Sequence, residues 1–198
     1  MMTRVAIIGT AGRREDGPKM TKALYESMVS YSHRFIGNLC QGDYKQVQLA
    51  SGGAAWADHV AVTLFLTKKY GGLTLYLPAG LSISGESYFS KKHNDPASTS
   101  NYYHEQFSQK IGHNSILDIY DTYSLGAQFL INEKGFHARN KDLAKNCDVM
   151  LAFTWGESDS EPKDGGTKHT WDHCICTKYH VPLYKLQAEV TNEQQENK

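Results

Sequence analysis

Residues 4–9 read RVAIIG, and residues 10–18 read TAGRREDGP. A short β-branched run that stops at glycine has the pattern of a buried parallel strand entering a turn. Beyond that turn Met20, Leu24, Met28, Tyr31 and Phe35 recur at helical spacing up to Gly37, which predicts an amphipathic helix. Strand, glycine turn and helix in this order are the opening of a βαβ unit.

The same grammar recurs downstream. Residues 46–50 (QVQLA) predict a second strand, Ser51-Gly52-Gly53 a turn, and residues 54–70 a largely apolar helical segment. Residues 73–77 predict a third strand. Residues 148–153 (DVMLAF) predict a fourth, preceded by a helix-like stretch over 138–146. A last helix is expected over 167–179 and a fifth strand near 182–186. Alternating β and α segments call for an α/β fold, because right-handed crossovers lay helices on both faces of a parallel sheet. The expectation is a Rossmann-like, doubly wound, mostly parallel five-stranded sheet. Residues 1–186 are expected to form a single nucleotide-binding domain. An insertion after the third strand, residues 82–118, breaks the rhythm with polar residues, Pro96 and the aromatics Tyr88, Phe89, Tyr102, Tyr103 and Phe107. A stretch of that kind reads as a lid over the site or a subunit contact. The polar residues 187–198 are expected to be a disordered tail.

Bulk composition narrows the function. At 198 residues and 40% hydrophobic, the chain can bury one sizeable core. Lys plus Arg and Asp plus Glu number 21 each, so no global positive field exists to draw in duplex nucleic acid. No apolar run reaches the roughly 20 residues that cross a bilayer. The cysteines Cys40, Cys147, Cys174 and Cys176 sit in or beside apolar stretches, and the sequence opens directly into a strand-like run. Reduced thiols and a cytoplasmic location are the expectation.

In an open parallel sheet, ligands bind beyond the carboxyl ends of the strands, where the strand order reverses. Three loops at that edge carry chemistry. The first holds Gly9, Thr10, Gly12, Arg13 and Arg14, pairing turn-forming glycines with arginines that suit phosphate. It is not the dinucleotide fingerprint, because the third glycine and the ribose-binding acid at the end of the second strand are missing. The second, Ser51, Gly52, Gly53 and Ala54 leading to Asp58, ends a strand and opens a helix, whose N–H groups and dipole favour an anion. The third, Asp164 through Thr170 with Gly165, Gly166, Thr167 and Lys168, repeats that logic. Arg139-Asn140 falls near a helix start, where an exposed arginine opposes the dipole unless an anion binds. Asp58 and Asp172 are the candidate acids or bases for hydrolysis.

In order, IIGTAGRRED, SGGAAWADHVA, ARNKDLAKNCDVMLAF and DGGTKHTWDHC resemble the recurring blocks of the SLOG superfamily, which unites the DNA-processing protein A (Smf) fold with the Lonely Guy phosphoribohydrolases. The resemblance spans most of the chain outside the insertion. It implies a Rossmann-like domain binding nucleotides, nucleotide sugars or cyclic nucleotide-like signals. It also implies Gly52, Gly53, Arg139, Gly165, Gly166 and Thr167 on the phosphate side. Lonely Guy enzymes carry P-G-G-x-G-T-x-x-E, whereas here the proline, the second Gly-Thr step and the glutamate are absent. Binding of the phosphate end of a nucleotide-derived ligand therefore leads, and cleavage of an N-glycosidic bond is the alternative. Single-strand DNA binding, by analogy with the DNA-processing proteins, is opposed by the zero net charge.

His169, His173, Cys174, Cys176 and His180 gather near the expected last helix, but side chains spread around one helix cannot all face one ion. Neither a metal nor a cofactor is expected. The expected partners are a nucleotide-derived small molecule and further copies of the chain, without duplex nucleic acid or membrane.

Overall fold

The computed structural model describes residues 2–163 and 165–196, with side chains through residue 192. The strands are β1 (Thr3–Gly9), β2 (Val47–Ser51), β3 (Gly72–Leu77), β4 (Gln128–Ile131), β5 (Val149–Thr154) and β6 (Thr177–Pro182). They form one six-stranded sheet in the order β4-β3-β2-β1-β5-β6, and every neighbouring pair is parallel. The helices are α1 (Lys22–Leu39), α2 (His59–Leu66), α3 (Pro96–Ile111), α4 (Ser115–Ser124), α5 (Phe136–Lys145), α6 (Gly166–His173) and α7 (Leu183–Glu196).

Strand β1 is apolar from Val5 to Ile8 because both its faces are covered there. Val5 and Ile7 join Leu49, Leu73, Leu75 and Phe153 in a core that also takes residues from α1, α2, α3, α4 and α7. Ala6 and Ile8 point the other way, joining Ala50, Met150, Leu143 of α5 and Trp171 of α6. Period-two alternation thus sorts one run of sequence into two cores.

The expected fold class holds, with six strands instead of five. The missed strand, β4, is four residues long and sits on the sheet edge with most of its side chains exposed, so burial leaves no apolar signature in it. The segment expected to be one helix over 167–179 is divided: α6 ends at His173 and β6 begins at Thr177. The strand expected near 182–186 is instead the first turn of α7, which buries Leu183 and Leu186 at helical spacing. That helix continues through residues expected to be a disordered tail, as far as Glu196; Asn197 and Lys198 lie outside the described residues.

The insertion is also more regular than its sequence suggests. Helix α3 starts at an Asp95 N-cap, whose carboxylate accepts from Ser98 N–H at 2.7 Å, with Pro96 in the first turn. It ends at Gly112, in the left-handed region at φ 90°. Its buried residues are Ala97, Ser100, His104, Phe107 and Ile111, a helical stripe in which serine and histidine stand where apolar residues would announce it. Among the described residues no helix is long and apolar enough to cross a membrane.

From β1 the chain steps outward through β2, β3 and β4, then returns across the sheet to β5 and β6. The reversal falls between β1 and β5, where Gly9 pairs with Phe153. The loops leaving these strands diverge there and open a crevice.

Candidate ligand-binding cleft

The crevice is a cleft of about 680 Å3 walled by all three expected loops, by the start of α5 and by Pro96 and Tyr103 of α3. Its floor is an ion pair. Asp58 Oδ1 accepts from Gly9 N–H at 3.2 Å, and Asp58 Oδ2 faces Arg139 Nη1 at 3.5 Å. Both residues are buried, with exposures of 5% for each. Burial pushes the Asp58 carboxyl above its ordinary range, opposed by Arg139 and by the backbone N–H groups of Ala54, Gly9 and Gly52. Burial also lowers the Arg139 guanidinium, opposed first by Asp58. The expectation of an exposed, misplaced arginine is thus corrected: Arg139 follows the first turn of α5 and points inward to a carboxylate. Among the described residues its buried Nε has no hydrogen-bond partner.

Gly52 makes this pair possible. A Cβ at that position would overlap Arg139 Nη1 and crowd Asp58 Oδ2, so only glycine admits the guanidinium. The neighbouring Gly53 turns its carbonyl toward the insertion, where it accepts from Tyr88 Oη and faces His104 Nε2, each at 3.0 Å. Ser51 Oγ accepts from Gly53 N–H at 3.2 Å. The Ser51-Gly52-Gly53 step therefore lies behind the cleft wall and contributes no lining, while Ala54 and Asp58 from the same loop do line it.

The first loop forms the rim. Thr10 Oγ1 donates to Asp16 Oδ2 at 2.9 Å and accepts from Gly12 N–H at 3.1 Å. Gly12 has φ 71°, and a Cβ there would stand 2.7 Å from Trp56 Nε1; it shapes the loop from behind and does not line the cleft. Arg13 lies over two rings, 5.0 Å from the Tyr103 centroid and 5.2 Å from that of Phe136. Arg14 is exposed beside it. Opposite them, Lys163 is already paired, at 2.6 Å to Glu15 and 3.3 Å to Asp16.

The third loop brings in Gly165, Gly166, Thr167 and Thr170. Helix α6 begins at Gly166, so N–H groups of its first turn precede any helical carbonyl and carry the positive end of the dipole. Asn140 Nδ2 donates to Gly166 O at 3.2 Å, which fastens α5 to this turn. Asp164 lies outside the described residues.

The site residues expected from sequence thus divide. Gly9, Thr10, Arg13, Ala54, Asp58, Arg139, Asn140, Gly165, Gly166 and Thr167 line one cleft. Gly12, Ser51, Gly52 and Gly53 support it from behind. Asp172 does neither: it lies on α6 with an exposed side chain, bound to Lys168 at 2.6 Å. The sequence reading does not single out Phe136, His137 and Lys163, which also line the cleft; the nearness of Phe136 and His137 to Arg139 in sequence was the one signal available. The aromatics of the insertion part company as well. Tyr88 and Phe107 are core, Tyr103 reaches the cleft, and Phe89 and Tyr102 are exposed.

The histidines and cysteines near α6 do not converge on one point. His180 Nε2 bonds Thr154 Oγ1 at 2.8 Å, whereas His173 Nδ1 bonds the carbonyl of His169 at 2.7 Å. Cys174 and Cys176 meet Cys147 instead.

Sheet order defines a Rossmann-like α/β protein with a cleft at its topological switch point. The uncharacterized protein R261 of Acanthamoeba polyphaga mimivirus is 36% identical over 170 residues, spanning 85% of this chain and 89% of that protein. The chain belongs to the same family as R261. No family model matches it. The X-ray structure of TM1055, a Northeast Structural Genomics Consortium target, aligns with 98% of this chain and 99% of its own at 9% identity and a TM-score of 0.39; the fold assignment rests on this chain's own sheet order.

Proposed function

We propose that the cleft holds the phosphate end of a nucleotide or nucleotide-derived small molecule, which the protein senses or sequesters in the manner of SLOG-type domains. One observation carries this reading. Among the described residues no carboxylate lies within ion-pair distance of Arg13 or Arg14, although Lys163 and Arg139 in the same cleft are paired; Glu15 acts on Arg14 only at longer range. Two guanidiniums outside any close ion pair line the same cleft as the first turn of α6, and a phosphate would pair with both. The cleft volume of about 680 Å3 falls within the roughly 300–1,000 Å3 of small-molecule sites. Tyr103 and Phe136 hold Arg13 in place, so its donors are oriented before a ligand arrives.

Hydrolysis of an N-glycosidic bond is less well supported, because its candidate groups are engaged elsewhere. Asp172 stands outside the cleft, and the two oxygens of Asp58 are taken by Gly9 N–H and Arg139. Calorimetry with nucleoside monophosphates, ADP-ribose and cyclic nucleotides, each followed by mass analysis of the recovered ligand, tests the proposal. Binding of a phosphorylated member, recovered intact and preferred over its unphosphorylated nucleoside, is expected. Equal affinity for both forms rejects the phosphate seat, and release of a free base moves the assignment to a hydrolase.

A further inference from the structure

Cys147 lies in the turn between α5 and β5, and Cys174 and Cys176 lie in the turn between α6 and β6. These turns feed the amino ends of adjacent strands. Val149 pairs with Thr177, so the sheet register holds the turns side by side at the edge opposite the cleft. Cys147 Sγ is 3.5 Å from Cys174 Sγ and 3.6 Å from Cys176 Sγ. All three sulfurs fall within 4.8 Å of one another, and all three cysteines are free.

That spacing matches metal ligation. Metal–sulfur bonds of about 2.3 Å at tetrahedral angles place sulfurs roughly 3.8 Å apart, whereas a disulfide needs about 2.05 Å. Among the described residues the group contains sulfur donors alone, with no carboxylate or imidazole, which selects a soft or borderline cation over magnesium or calcium. Ala144, Met150 and Trp171 belong to the core cluster that contains Cys147 and Cys174, and Cys176 packs against it. Cys147 and Cys174 are buried, and Cys176 is half-buried and open to an arriving ion. Cys176 N–H donates to Cys174 Sγ at 3.4 Å, the backbone support that sulfur ligands receive. Lys178 lies within electrostatic reach of the cluster, so an anionic three-thiolate complex meets positive charge on one side; Arg4, also in reach, is paired with Asp148 at 2.8 Å.

We propose that Cys147, Cys174 and Cys176 are three ligands of a thiophilic d10 cation, zinc(II) foremost, with solvent completing the coordination. Loading exchanges up to three thiol protons, released to the buffer, for three metal–sulfur bonds, and no electron is transferred. The ion would tie together the turns at the far ends of α5 and α6, the two helices that carry Arg139 and Gly166 to the cleft.

The test uses the full chain, reduced and stripped of metal. Zinc is titrated in competition with a chromophoric chelator, and cobalt(II) serves as the spectroscopic probe. The expected result is one ion per chain, proton release on binding, and thiolate-to-cobalt charge-transfer absorption. Cys176→Ser, at the half-buried position, should keep the native circular dichroism. It should weaken zinc binding by more than the roughly 10- to 100-fold that loss of an outer-shell partner costs. Cys147→Ala should do the same, while Cys40→Ser, at the end of α1, should change nothing. The assignment is overturned if the reduced chain takes up no zinc, if cobalt binds without the charge-transfer band, or if the Cys147 and Cys176 variants bind as well as the parent. A reduced chain that ignores zinc and forms a Cys147–Cys174 disulfide on mild oxidation would instead mark a redox pair.

Discussion

Arg139 of α5 meets Asp58, just before α2, at 3.5 Å across the space left by Gly52. The two residues come from opposite faces of the sheet, so their contact closes the helical layers over the carboxyl ends of β1 and β2. Because both are buried, the pair belongs to the scaffold as much as to the cleft.

Replacing Arg139 with alanine should therefore destabilise the fold by about 3–5 kcal/mol, the cost of stranding one member of a buried ion pair. Urea unfolding measures this directly. Asp58→Asn combined with Arg139→Met should recover part of the loss, since no lone charge remains. An Arg139→Ala chain as stable as the parent would show that solvent already reaches the pair.

Arg13 offers the cleaner test of the ligand seat, because it is exposed and its guanidinium lies over the Tyr103 and Phe136 rings. Arg13→Ala should lower affinity for a phosphorylated ligand by about 1.5–3 kcal/mol, roughly 10- to 100-fold, with the melting temperature nearly unchanged. Calorimetry on the ligand identified by the nucleotide panel decides it. Unaltered affinity would move the phosphate away from the rim.

Acid should destabilise the protein well before its carboxylates titrate. His104 is buried between Gly53 O and Ser115 Oγ, and burial pushes its pKa from the ordinary 6.5 down to about 3. In that window the unfolded chain binds a proton that the folded chain refuses. Stability is thus complete above pH 6.5 and falls as pH drops toward 3, by about 1.4 kcal/mol per pH unit for this residue. His59, also lowered by burial although Asp118 opposes the shift, contributes with the same sign. Urea titrations between about pH 7.5 and 5 should show a shallower pH dependence for His104→Gln than for the parent. Parallel curves would mean that His104 is not the group being titrated.

The insertion should behave as part of the core. Phe107 is fully buried against Tyr25, Trp56 and His59, so Phe107→Ala should cost about 3–5 kcal/mol in chemical unfolding. Tyr88→Phe removes one of two groups on the Gly53 carbonyl and should cost only about 0.5–1.5 kcal/mol. If Phe107→Ala is nearly neutral, the insertion is a detachable lid.

Much of the fold was legible because central strands of a doubly wound sheet are covered on both faces, which forces runs such as residues 5–8 and 149–153 to be apolar. Glycine turns after them then place ligand loops at one edge. β4 gave no such signal, since an edge strand with exposed side chains is under no pressure to be apolar. The stripe of α3 was hidden by Ser100 and His104, and the His104 ring nitrogens meet partners from outside the helix, Ser115 Oγ and Gly53 O.

By itself the sequence determined the α/β class, the carboxyl edge as the place where a cleft opens, and most of the loops that meet there, because local period and turn chemistry are written residue by residue. Only the tertiary structure decided what each polar residue faces. Arg139 turned inward to Asp58 because Gly52 left room, Asp172 turned outward to Lys168, and Cys147 reached Cys174 across 27 positions because parallel pairing of β5 with β6 set their turns side by side. Such contacts depend on register and on which helix face is buried, and these are properties of the packed sheet that no single stretch of sequence carries.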